Sequence, residues 1–162
     1  MMQLFGEDWG FDYMKGLHAN INQYTKSGSA PIKAAGRGET TIGIVFMHDA
    51  VKQAVAGFPV KVVAPAEGTG YEIGSMSIID GARNMDEAKI FYDWALSADA
   101  QNLALQVNAF QVPSNMGAQT SDSAPDMSSI KLIDYDFKTY GSSATRKRLL
   151  KKWDDEVSVL PQ

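Results

Sequence analysis

The chain has 162 residues, 44% of them hydrophobic and 21% charged, with a formal net charge of -4 and no cysteine. That length and composition suit one soluble domain with a real core. The acidity speaks against a nucleic-acid surface, and the missing thiols exclude a disulfide framework or a thiolate metal site. No apolar run reaches the roughly 18 residues of a membrane span. The opening residues, Met1 to Trp9, lack the basic and apolar regions of a secretion signal.

In chain order, Trp9, Phe11, Tyr13, Met14 and Leu17 recur at near-helical spacing and predict an amphipathic helix over 7–20. A polar turn follows, and Ser27 or Ser29 is placed to cap a second helix over 30–36, with Pro31 in its first turn and Gly36 and Gly38 ending it. The run Thr40-Thr41-Ile42-Gly43-Ile44-Val45-Phe46 reads as a strand buried on both faces. His48-Asp49 stand at its end, before a short helix over 50–56. Further strands are expected at 59–64 and 75–79, separated by the glycine-rich loop 65–72. Asn84 and Ser97 mark the starts of helices reaching about Leu96 and Val107. A long irregular region leads to a last helix opened by Ser142 or Ser143, with Leu149, Leu150, Trp153 and Val157 as its apolar stripe. Trp9, Trp94 and Trp153 are expected to be core or packing residues. Strands alternating with helices indicate the α/β class.

Ligands of open α/β sheets bind at loops leaving the carboxyl ends of strands. Here those are His48-Asp49 and the stretch from Glu67 to Glu72, with the turn Ser27-Gly28-Ser29 as a third place. Hydroxyls and free N–H groups at a helix start suit an anion, because unpaired donors and the helix dipole both favour negative charge. Carboxylates at Asp49 and Glu72 suit sugar hydroxyls, and His48 suits a phosphate oxygen. Each group also has a plain structural reading. The serine turn and Asp49 can be helix caps, His48 a packing residue, and Glu67-Gly68-Thr69-Gly70 a connector. The cations Arg146, Lys147, Arg148, Lys151 and Lys152 read as a solvated helix face.

Seven segments in register resemble one family. They are 23–28, Arg37-Gly38-Glu39, His48-Asp49, 67–74, Gly81-Ala82-Arg83-Asn84, Asp93 to Ser97, and Ile133 to Phe137. The family is that of bacterial periplasmic solute-binding proteins of ABC importers, of the ferric-iron or phosphonate type, with the two-lobed type 2 periplasmic-binding fold. Such proteins are about twice as long, so the resemblance implies a C-terminal half. On that reading, 1–66 belong to the second lobe, 67–74 are a hinge and ligand loop, and 75–162 complete the first lobe. A signal peptide is expected in the preceding part, which makes the location periplasmic.

Carried over by position, the resemblance implies a ligand site of Thr25, Ser27, Gly28, His48, Asp49, Thr69, Tyr71 and Glu72. It implies no catalysis and no cofactor. The expected partners are a small solute (a sugar phosphate, phosphonate or ferric complex) and an ABC permease, with no nucleic acid. An isolated half is expected either to be poorly stable as a monomer or to pair as a homodimer in which two copies cover each other. Hexose phosphate is favoured over iron, because ferric sites often use neighbouring tyrosines and this chain has no Tyr-Tyr pair. His18 with His48-Asp49 superficially matches a metal-dependent phosphohydrolase, but those enzymes are all-helical. A regulator's sensor domain of the same fold would need a DNA-binding helix pair.

Overall fold

The computed structural model describes residues 1–161, which divide into two compact units, 1–25 with 132–161, and 26–131. In the first unit, α1 (Met2–Phe5) packs on α2 (Glu7–His18), and α7 (Phe137–Tyr140) packs on α8 (Ser143–Glu156). Helix α2 carries Glu7 and Asp8 in its first turn and Lys15 and His18 in its last, the arrangement its dipole favours. Phe11 and His18, seven residues apart, share its buried face. Trp9 lies two positions from Phe11, on nearly the opposite side. It is half exposed, with its ring centroid 4.4 Å from Phe5 and 5.4 Å from Tyr13. The apolar residues of α2 therefore divide between two faces, and Trp9 is not in the core, which leaves the packing role that was its other expected reading.

Ser142 starts α8, its hydroxyl accepting from the Thr145 amide at 3.2 Å. The basic residues of this helix are not one solvated face. Arg148 makes a bidentate pair with Glu7 at 2.7 and 2.8 Å. The Lys152 ammonium lies 3.2 Å from the same carboxylate and 4.4 Å from the centroid of the Phe11 ring. Lys15 of α2 reaches back to Glu156 at 3.1 Å. These contacts join α2 to α8 above the buried Phe11 and Val157.

The Arg148 hydrogen bond, with help from Lys152, holds the Glu7 carboxyl at a pKa of about 2. The folded value lies below the unfolded one, so this contribution is present above the ordinary carboxylate pKa and is lost as pH falls towards about 2. Thermal denaturation from pH 6 to pH 2 should show a steeper loss of Tm for the wild type than for Glu7→Gln. Parallel curves would mean that the pair does not contribute to folding stability.

The second unit contains α3 (Ala30–Gly36) packed on α4 (Met47–Val55), and α5 (Met85–Ala95) packed on α6 (Ala98–Gln106), followed by a 3-10 turn at Met127–Ser129. Ile32, Ala50 and Val51 are buried. Ser97 caps α6, accepting from the Ala100 amide at 3.2 Å, whereas Ser29 and Asn84 occupy N-cap positions without a side-chain bond. Trp94 is half exposed, its ring 5.4 Å from Phe91, and is not a core residue either. The irregular stretch after α6 is tied to it through Gln101 with Ser114 and Asn115, and Asn102 with Gln119.

The predicted strands 40–46, 59–64 and 75–79 do not form a sheet among the described residues. A ladder is made of paired backbone hydrogen bonds, and apart from Val60, which donates to Phe58, no amide of these segments donates to another backbone group among the described residues. Exposure within 41–46 alternates, with Ile42, Ile44 and Phe46 outward and Gly43 and Val45 partly covered. Gly43 lies against the start of α3, where an added Cβ would come within 2.8 Å of the Pro31 carbonyl oxygen. Only glycine allows that approach.

Candidate functional site

His48 and Asp49 do not follow a strand in a loop; they occupy the first turn of α4. The N-cap is Phe46, in extended conformation, and its side chain cannot accept a hydrogen bond. The Asp49 and Ala50 amides bond back to the Phe46 carbonyl, while those of Met47 and His48 donate to no other backbone group. The start of α4 thus presents free N–H donors with its dipole behind them.

The turn around Gly28 approaches the same place. A Cβ on Gly28 would lie 3.6 Å from the Phe46 ring, and that ring stacks on His48 at 5.6 Å between centroids and 14° between planes. His48 Nε2 lies 3.9 Å from Asp49 Oδ2, and both side chains are partly buried. Gly28, His48 and Asp49 are therefore brought together, with Phe46 between the turn and the imidazole. Ser27 is exposed in the turn beside them. Phe46 was not among the residues expected here; its position two residues before His48, at the end of an apolar run, was the available signal for this packing.

The 67–72 loop is less organised. Gly68 turns the chain with φ +124°, its amide donating to the Pro65 carbonyl at 3.2 Å. The Thr69 amide donates to the Lys131 carbonyl at 2.9 Å, and its hydroxyl donates to the Gly70 carbonyl at 3.2 Å. Tyr71 and Glu72 are exposed. No hydrogen bond or ion pair joins Thr69 or Glu72 to His48 or Asp49 among the described residues. Thr25, also exposed, falls in the other compact unit.

A second cluster surrounds His18, which is only 3% exposed. Its Nε2 lies 3.0 Å from the Leu160 carbonyl oxygen, an acceptor only, so this nitrogen carries a hydrogen and donates. Its Nδ1 lies 2.9 Å from the Tyr24 hydroxyl. Desolvation raises the Tyr24 pKa, which keeps the phenol protonated. Trp153 stands edge-on to both rings, at 6.1 Å and 5.6 Å. With Ser158 these residues line an open cavity of about 560 Å³. Both ring nitrogens of His18 are engaged, the lone pair of Nδ1 by the Tyr24 hydroxyl, so as placed His18 offers no open lone pair to the metal that a phosphohydrolase reading requires. Among the described residues no group of three His, Asp or Glu side chains could hold a metal ion. The position of His18 seven residues after Phe11 was the sequence signal for its burial.

A family profile described as "Bacterial extracellular solute-binding protein" matches residues 1–139. An uncharacterized protein of Haemophilus influenzae is 48% identical over 159 residues, which are 98% of this chain and 46% of that protein. The periplasmic binding protein AfuA from Actinobacillus pleuropneumoniae, solved with exogenous fructose-6-phosphate bound, superposes with a TM-score of 0.91 at 52% identity. That match covers 98% of this chain and 50% of AfuA. The periplasmic binding protein P5PA superposes with a TM-score of 0.87 at 39% identity, over 97% of this chain and 50% of its own. The chain spans about half the length of the relatives it matches. With a profile match over most of its length and two close structural neighbours among periplasmic binding proteins, the chain belongs to the bacterial extracellular solute-binding protein family.

Proposed function

We propose that this chain is the ligand-contacting later half of a periplasmic solute-binding component of an ABC importer, and that its solute is a small phosphorylated sugar. The observation that carries this reading is the convergence of the Gly28 turn, the ring pair Phe46–His48 and the open amides at the start of α4. Free N–H donors, an imidazole and a serine hydroxyl are the partners a phosphate group requires. Asp49 beside them accepts from sugar hydroxyls, and Glu72 from the hinge loop does the same. Thr25, Ser27, Thr69 and Tyr71 complete the ligand set. The fructose-6-phosphate bound in AfuA, at 52% identity, supports this choice of solute.

The proposed division follows: 1–66 in one lobe, 67–74 as hinge, and 75–162 in the other, joined by a helical layer on a mixed sheet that the rest of the fold supplies. Solute bridges the lobes, stabilises the closed form and presents it to the permease. No bond is made or broken, so the protein is not an enzyme, and it works in the periplasm.

One observation favours a second reading. Tyr135 and Tyr140, five residues apart, have ring centroids 6.2 Å apart, and paired phenols suit Fe(III). The Tyr24 hydroxyl, by contrast, is already bonded to His18. The two readings separate in a thermal-shift experiment on a chimera that joins this chain to the preceding half of the Haemophilus influenzae relative. At a thousand times its Kd, a ligand should stabilise by about 4 kcal/mol. A shift with fructose 6-phosphate or glucose 6-phosphate, but not ferric citrate, is expected. A shift with ferric citrate alone would replace the sugar phosphate with iron.

A further inference from the structure

His48 is the second residue of α4, and Phe46 stands at the N-cap of that helix. Side chains two positions apart on a regular helix do not face each other. These two do, with ring centroids 5.6 Å apart and 14° between the planes. The reason is the backbone of Phe46, which at φ -63° and ψ 136° is extended, so its side chain leaves the helical array. The His48 side chain leans back towards the start of the helix, as helical side chains do, and meets the ring there.

The Phe46 ring is itself held in place. Its Cδ2 and Cε2 edge faces the Gly28 turn, where an added Cβ would lie 3.6 and 3.7 Å away. The segment that carries it is set against α3 by Gly43, where an added Cβ would meet the Pro31 carbonyl oxygen at 2.8 Å. His48 has no such anchorage of its own. Its side chain is 31% exposed, and Asp49 Oδ2, at 3.9 Å from Nε2, is beyond hydrogen-bond reach. The stack on Phe46 is therefore what selects one orientation of the imidazole among the staggered wells open to it.

We infer that Phe46 is a positioning residue of the solute site. It holds the His48 imidazole ready to donate to a phosphate oxygen, beside the Met47 and His48 amides that no backbone acceptor takes up. The inference rests on the sugar-phosphate reading for its ligand and on the ring stack for its geometry. Phe46 acts through His48 and does not touch the solute. An imidazole free to turn would have to be ordered when the anion binds, which costs affinity; a ring already fixed avoids that loss.

The test uses the chimera with the preceding half, titrated with fructose 6-phosphate by calorimetry. Phe46→Leu should weaken binding by roughly 3- to 10-fold, the equivalent of one aromatic pair. Phe46→Tyr keeps the ring face and should bind like the wild type. In a His48→Ala background, Phe46→Leu should make no further difference, because the group it positions is gone. NMR without solute reads the stack directly. The His48 ring protons should lie upfield of their position in Phe46→Leu and show cross-relaxation to the Phe46 ring. An unchanged affinity in Phe46→Leu would overturn the inference, as would an equal loss in both backgrounds, since Phe46 would then contact the solute itself. So would a wild type without cross-relaxation between the two rings, a measurement that needs no variant to fold. A wild type that binds no fructose 6-phosphate, with His48 signals that still depend on Phe46, would refute the solute and keep the positioning of the imidazole.

Discussion

Asp49→Ala in the chimera with the preceding half should weaken binding of a hexose phosphate by roughly 10- to 100-fold, the equivalent of one hydrogen bond to a charged acceptor. Asp49 occupies the first turn of α4, 3.9 Å from His48 Nε2, and sits beside the amides of Met47 and His48 that no backbone acceptor takes up. A purely structural role predicts a different outcome. An acidic residue in the first turn interacts favourably with the helix dipole, and losing it costs about 0.3–1 kcal/mol of stability. If that were all, Asp49→Ala would lower Tm by a few degrees and leave Kd unchanged. Isothermal titration of wild type, Asp49→Ala and Asp49→Asn separates the two. Asn can still accept from a hydroxyl but carries no charge, so it should fall between the other two in affinity. An unchanged Kd in both variants would remove Asp49 from the site.

The largest effect on stability is expected at Phe11. Its ring is 2% exposed, shares the buried face of α2 with His18, and has the Lys152 ammonium 4.4 Å from its centroid. Phe11→Ala should cost about 3–5 kcal/mol through lost burial and the cavity left behind. For a chain of this size that lowers Tm by roughly ten degrees or more. Lys152 contributes separately, through its pairing with Glu7 and through its position over the ring. A double-mutant cycle with Lys152→Met isolates the ring–ammonium component, expected at about 0.5–2 kcal/mol. Thermal and urea denaturation of the four proteins would measure both quantities. A Phe11→Ala variant within a degree or two of wild type would mean that α2 is not anchored on α8 through this residue.

Helices were the most legible feature of the chain. Apolar spacing at three and four residues, with Ser97 and Ser142 at N-caps, located α2, α3, α5, α6 and α8 to within a residue or two, because these signals act within one element. For α4 the reading started three residues late, placing His48 and Asp49 before the helix they belong to. The three tryptophans show why burial was harder to read. Trp9 and Phe11 are two positions apart and fall on opposite sides of α2, so only the partner helix decides which one is covered. His18 shows the same effect in reverse: its polar ring is buried because Tyr24 and Leu160 satisfy both nitrogens from distant positions.

For the candidate site, sequence spacing identified the residue types, and the resemblance placed them within a family that the profile match bears out. It did not reveal the contact that joins the Gly28 turn to His48 through Phe46, which depends on how α3 and α4 pack. The three apolar runs show the remaining limit. Their composition calls for strands, and that preference is a property of the residues alone. Forming a sheet is not, because a strand's hydrogen bonds are made with another segment, whereas a helix makes its own within a few residues. Helix positions, cap residues and family membership could therefore be read along the chain. Which faces are covered, which polar groups are satisfied and whether the extended runs are paired were settled only by neighbours in space.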